Sequence, residues 1–346
     1  MALSKQSVGK LPASLDDIRS LLRSLDYQKL KNEVERDLDC RVCIVGPVNS
    51  GKSTLFNLLH GRAISPVAAV PGTTRHLVRE DLGPFTLLDT PGFGEVEGVD
   101  RASVALEGLH QSTLSILLLD AGAGVRQEDY ELLRRLLLTG KPVVVALNKT
   151  DLIKKELDSV LADGEVKLGS KVVPISSKEG TNVSDGLIPR IINAHPGLAM
   201  VIGRELPAYR RRAVDKVVAT AAALSAVAGA EPIPGASVPV LLTAQVKLVL
   251  RIAAIYGEPM TAHHARELVA TVFSGMALRY AARELAKLVP VAGWAVAGAM
   301  AGASTYAIGR VAAEYFESGK TLRPREMQAL YRLFSRQARA ADETGH

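Results

Sequence analysis

Between Val42 and His60 the chain passes from an apolar run without polar alternation, Val42 to Val45, into G-P-V-N-S-G-K-S, Gly46 to Ser53, and then into a helical pattern, Thr54 to His60. Few folds accommodate that order. A strand buried on both faces, a glycine loop and an immediate helix gather successive backbone N–H groups and the positive end of a helix dipole around one point, an arrangement suited to phosphate. Lys52 is placed to neutralise β and γ phosphates, and Ser53 to offer its hydroxyl to Mg²⁺. Asn49, Ser50, Gly51, Lys52, Ser53 and Thr54 are therefore the candidate phosphate-side residues.

Further apolar runs follow at Phe85 to Leu88, Ser115 to Leu119, Val143 to Leu147 and Val172 to Ile175, alternating with helical patterns. Strands of this kind are buried on both faces, so the expectation is an α/β domain with a central, mostly parallel sheet covered by helices. Two of the runs end in polar motifs. D-T-P-G, Asp89 to Gly92, places a carboxylate where it can hold Mg²⁺ through water and a Gly92 N–H where it can reach a γ-phosphate. N-K-T-D, Asn148 to Asp151, offers the Asp151 carboxylate to the N1–H and 2-amino group of guanine, donors that adenine lacks. Lys149 can lay its stem along the base, and S-S-K, Ser176 to Lys178, follows the last strand where a backbone N–H would meet the guanine oxygen. P-G-T-T-R, Pro71 to Arg75, is a polar connection from which Thr73 or Thr74 would close on the metal; the sequence does not choose between them. Lys52, Thr73, Thr74 and Gly92 form the candidate catalytic set, with Ser53, Thr73, Thr74 and Asp89 around Mg²⁺.

In this order, each behind a strand, the motifs of residues 41 to about 193 resemble the Era and TrmE branch of the translation-factor-type GTPases. The resemblance implies GTP and GDP as ligands, Mg²⁺ as cofactor, and a potassium ion held beside the phosphates by Asn49, which stands where potassium-stimulated members carry an asparagine. It also implies slow basal turnover, because Phe93 occupies the place where Ras-like proteins carry a glutamine that orients water. A cation, self-association into a nucleotide-dependent homodimer, or a partner would then accelerate hydrolysis.

At 346 residues the chain exceeds what one core usually serves. The expected division is an amphipathic helical extension over 1–39, a P-loop GTPase domain over 40–195, and an all-α domain over 196–346. In the extension, Leu15, Ile18, Leu22 and Leu25 form one stripe of a helix expected over 14–30, read as packing on the protein's own domains. The stretches around Leu206, Pro232, Leu241, Ile252 and Leu288 resemble DUF697, a domain of unknown function that follows some Era-like GTPases. Leu288 to Gly309 carries no charge and contains G-x-x-x-G at Gly298 and Gly302, so it reads as a membrane helix or as the buried centre of a bundle. Its dependence on alanine and glycine places soluble or peripherally attached ahead of membrane-spanning. Trp294 in this segment fits packing or an interfacial anchor equally.

The net charge of +6 favours anionic partners. Arg204, Arg210, Arg211, Arg212 and Lys216 read first as a solvated helix face, with an anionic membrane surface or RNA as the alternative partner. RNA ranks lower for want of a KH-like clamp or arrayed stacking aromatics. Cys40 and Cys43, three apart at the start of a strand, point to opposite faces and cannot pair, consistent with a cytoplasmic protein, peripheral at most on the inner membrane face. The adjacent His263 and His264 would diverge by about 100° on a helix and cannot easily share a metal.

Overall fold

A computed structural model describes residues 15–61, 80–88, 109–153, 155–231, 237–259, 261, 265–266, 268–270 and 292–344. Thr73, Thr74, Asp89, Gly92, Phe93, His263 and His264 lie outside these residues.

Contacts divide the chain into two units, one of residues 37–209 and one that joins 1–36 to 210–346. Both boundaries differ from the expected ones. Residues 15–36 group with the helical unit, and the first unit runs on to Tyr209.

The first unit is built on a six-stranded sheet in the order β2-β3-β1-β4-β5-β6. The strands are β1 (Val42–Val45), β2 (Glu80–Leu82), β3 (Phe85–Leu87), β4 (Leu114–Asp120), β5 (Val143–Asn148) and β6 (Val172–Pro174). All adjacent pairs are parallel except β2 with β3, joined by a tight turn at Gly83 and Pro84. The sequence reading missed β2, whose residues Glu80 and Asp81 lack the apolar run that marks the buried strands; at the sheet edge such a strand needs only one paired side. Every side chain of β1 is buried, and β4 is buried from Leu114 to Leu119, as a sheet covered on both faces requires.

Helix α3 (Lys52–His60) follows the phosphate-binding loop, and the other α-helices among the described residues of this unit are α4 (Gln127–Leu138), α5 (Leu157–Leu168), α6 (Ile188–Ala194) and α7 (Leu198–Glu205). Leu133 and Leu136 of α4 and Leu168 of α5 pack with Cys43, Val45, Leu117, Leu119, Val145 and Leu147 in one apolar cluster. Cys43 is thus a core residue. Cys40 lies just before β1, with Sγ 4.0 Å from His195 Nδ1, and burial raises its thiol pKa; neither cysteine is in a disulfide.

In the second unit the N-terminal stripe forms two helices, α1 (Leu15–Ser24) and α2 (Tyr27–Leu38). The expected single helix breaks because the Asp26 carboxylate accepts the Lys29 N–H at 3.0 Å and starts a new helix. Three contacts hold the pair to its own unit: an Arg266 guanidinium N–H donates to the Leu25 carbonyl, the same guanidinium lies over the Tyr27 ring, and Lys247 binds Glu33 at 2.6 Å.

Helices α8 (Arg210–Gly229), α9 (Ser237–Ile255), α10 (Ala292–Glu317) and α11 (Pro324–Thr344) make up the described remainder. The G-x-x-x-G step lies where α10 crosses α8. A Cβ on Gly298 would sit 2.8 Å from the Ala226 carbonyl oxygen, and one on Gly302 would sit 3.1 Å from the Ala226 Cβ. Close helix contact is therefore met within the chain, and Gln245 Nε2 adds a buried hydrogen bond to Thr305 Oγ1 at 3.1 Å. Among the described residues one helical stretch is long and apolar enough to cross a membrane, Val238–Ile255 in α9, and 67% of it is buried. The segment singled out from sequence, Leu288 to Gly309, lies among the described residues only from Ala292 onward.

Candidate functional site

All the sequence-predicted site residues that the structure describes lie at the carboxyl ends of β1, β5 and β6, the edge where open α/β sheets bind ligands. The phosphate-binding loop leaves β1 at Gly46 and enters α3 at Lys52. Lys52 is 7% exposed, and its ammonium donates to the carbonyls of Gly46 at 2.9 Å and Pro47 at 3.0 Å, so the cation is held over the loop it would serve. Asn49 adopts a left-handed φ of 65° and is exposed; asparagine tolerates this region better than most residues. Ser53 and Thr54, in the first turn of α3, are half-buried.

Asn148, at the end of β5 and 1% exposed, joins two of these loops. Its Nδ2 donates to the Ser50 carbonyl at 2.8 Å, and its Oδ1 accepts the Ser177 N–H at 2.8 Å. One amide therefore binds the phosphate-side loop to the loop after β6. Gly51 makes the approach possible: it has φ +93°, and a Cβ there would lie 2.2 Å from Asn148 Nδ2. One donor and one acceptor position of Asn148 are thus used within the protein, where they align its neighbours, and one N–H and one lone pair remain.

Asp151 is oriented by Ser176, whose Oγ donates to Oδ1 at 2.7 Å while accepting the Glu179 N–H at 3.2 Å. The backbone supports the same register, with Thr150 N–H on the Ile175 carbonyl and Ile175 N–H on the Leu147 carbonyl. Lys149 is left-handed at φ 63° and pairs with Asp120 Oδ2 at 2.7 Å, the lysine 30% and the aspartate 24% exposed. Fixing the ammonium there holds the lysine stem in place. Lys178 is exposed.

Asp120 escaped the sequence reading. It ends β4 opposite Asn148 in the register, and its Oδ1 accepts the Gly122 N–H at 2.9 Å. An acidic residue closing a buried strand, L-S-I-L-L-L-D, was the available signal, since it must emerge at the ligand-binding edge. Of the metal residues expected from sequence, Ser53 is the one among the described side chains whose chemistry and place suit Mg²⁺; a hydroxyl at the start of a helix that follows a phosphate loop fits that ion.

This fold and loop order define a P-loop nucleotide-binding domain of the GTPase class. Residues 41–149 match the family described as 50S ribosome-binding GTPase, and residues 197–343 match a domain of unknown function, DUF697. The first part of the chain is therefore similar to Era/TrmE-like GTPase domains and the second to DUF697 domains. It is 33% identical over 177 residues to GTPase Der of Kosmotoga olearia, covering 46% of this chain and 39% of that protein. To tRNA modification GTPase MnmE of Heliobacterium modesticaldum it is 37% identical over 172 residues, covering 46% of this chain and 35% of the relative. The chain thus spans well under half the length of these relatives. A crystal structure of Aquifex aeolicus Era bound to GDP.AlF4- is 28% identical, covering 53% of this chain and 66% of that one with a TM-score of 0.38.

Proposed function

We propose that the chain is a GTP-hydrolysing switch whose nucleotide state controls its helical unit at an anionic membrane surface. The observation that carries the nucleotide reading is the Asn148 clamp, which aligns the loop bearing Lys52 with the loop that orients Asp151. With the loops so aligned, one ligand can meet a cation at its phosphates and a carboxylate at its base. A carboxylate at Asp151 selects guanine, because adenine would leave that acceptor without the two donors it faces. Lys52 and the loop N–H groups neutralise the phosphates, and Mg²⁺ held by Ser53, Asp89 and one of Thr73 and Thr74 would supply further charge on the β and γ oxygens. Asn49, exposed beside the loop, is the residue for a potassium ion. With Phe93 in the water-orienting place, basal turnover is slow and rises with potassium, self-association or a partner.

The family description favours a second reading, a ribosome or RNA assembly factor, which the same assay separates. Phosphate release from GTP is measured in potassium and in sodium, with phosphatidylglycerol vesicles, with ribosomal subunits, and with neither. Stimulation by potassium and vesicles supports the proposal. Stimulation by ribosomal subunits alone transfers it to the second reading, and no GTP turnover in any condition overturns both.

A further inference from the structure

Helix α11 presents two unlike faces. Met327, Tyr331 and Ser335 are buried on one, while Arg325, Arg332, Arg336 and Arg339 are exposed on the other. Steps of seven, four and three residues bring the four arginines within about 60° of one another around the axis and spread them over about 21 Å along it. Among the described residues none of the four is engaged in an ion pair. The one described acidic side chain of this helix, Glu326, is spent on the Arg323 N–H at the helix start, at 2.7 Å. Four parallel cations that meet no counter-charge among the described side chains raise the potential along one straight line, which an extended anion relieves.

Leu333 lies beside this row and is 50% exposed, with Ala329 and Ala340 also exposed nearby. The face therefore combines cations with modest apolar surface and no exposed aromatic; Phe334 is half-buried and lies under the Arg310 guanidinium. Recognition of single-stranded nucleic acid depends on exposed stacking rings, which this face lacks. A bilayer surface asks only for basic groups on one side of a helix and a few apolar residues between them. The more evident basic cluster, Arg210 to Lys216, suits this less: the Arg210 guanidinium lies over the Tyr256 ring, and neighbouring Asp215 brings a negative charge, paired with Arg310 at 2.5 Å.

We infer that the arginine face of α11, Arg325, Arg332, Arg336 and Arg339, is the surface by which the helical unit docks on anionic phospholipid. This rests on the membrane reading proposed above and names the residues that carry it. Since each basic residue near an anionic surface contributes about a fivefold factor in partitioning, reversing two charges lowers vesicle binding by well over 25-fold.

The test is co-sedimentation of the full chain with phosphatidylcholine vesicles, with and without phosphatidylglycerol, at low and high salt. Wild type should bind only the phosphatidylglycerol vesicles, and less at high salt. R332E/R336E should lose that binding while keeping wild-type helicity and GTP turnover, and R332K/R336K should retain it, because a bilayer reads charge more than fork geometry. A charge-matched control in the other unit, R134E/K171E, should bind as wild type. Vesicle binding by wild type and R332E/R336E alike leaves the membrane reading standing and overturns the α11 assignment. Failure of wild type to bind vesicles overturns both. Binding of duplex RNA in place of vesicles, lost in R332E/R336E, overturns the lipid assignment in favour of a nucleic-acid phosphate backbone.

Discussion

Replacing Asn148 by Ala removes one side chain and opens two bonds at once. The Ser50 carbonyl and the Ser177 N–H lose their 2.8 Å partners, and these residues are 0% and 3% exposed, so water does not readily replace the amide. At about 1–3 kcal/mol for each buried group left unpaired, and with some relaxation of the loops, the cost is about 2–4 kcal/mol. Whatever share of this appears as lost alignment in the unliganded state must be made good on binding. A share of about 1–3 kcal/mol corresponds to roughly 5- to 150-fold weaker nucleotide affinity. The assay is titration with a fluorescent GDP analogue, accompanied by hydrogen exchange on peptides spanning residues 46–52 and 172–182, both of which should exchange faster.

A second substitution isolates the cause. Gly51→Ala places a Cβ 2.2 Å from Asn148 Nδ2 and imposes a left-handed backbone on an alanine, so it weakens binding in the wild-type background. With Asn148 already truncated the collision disappears and the backbone strain alone remains. The double mutant should then be less impaired than the sum of the singles, by about 0.5–3 kcal/mol of coupling. Affinity and exchange unchanged in N148A, or costs that simply add, would refute the clamp.

Three further outcomes are expected. Asp151→Asn should shift preference from GTP towards XTP, whose 2-oxo group accepts from the new amide; full retention of GTP discrimination in competition binding removes Asp151 from base recognition. Gly298→Leu should destabilise the helical unit by roughly 1–3 kcal/mol or more through overpacking against Ala226 and Ala230, read by the fluorescence of Trp294, the single tryptophan; an unchanged transition would mean that α8 and α10 do not pack as described. The hydrogen bond from Lys247 holds the Glu33 carboxyl below its ordinary range. A depressed folded-state value gives stability that is present above the unfolded value of about 4.3 and lost as pH falls through the folded one. Glu33→Gln should therefore flatten the acid side of the Trp294 unfolding profile below about pH 4–5, by no more than about 1 kcal/mol for a partly exposed pair. An identical acid limb in both proteins would remove Glu33 from that dependence.

The glycine loop after β1, the polar loops that end β5 and β6 and the parallel strands were legible in the sequence because each depends on local order. Apolar runs without alternation specify strands buried on both faces, and a glycine loop followed at once by a helix specifies an anion site, whatever surrounds them. The edge strand β2 was not legible, since a strand paired on one side needs no apolar run. Nor was the role of Asn148, which depends on Ser50 lying 98 positions away, or that of Asp120, which depends on the register of β4 against β5. The N-terminal stripe announced a helix but not its partner; Lys247 and Arg266, far along the chain, provided it. The uncharged segment at Leu288 to Gly309 announced close packing through its glycines, and only tertiary structure placed Ala226 of α8 against them. Local chemistry repeats at fixed spacing and can be read along the chain, whereas which distant groups satisfy one another is decided by how the chain folds back on itself.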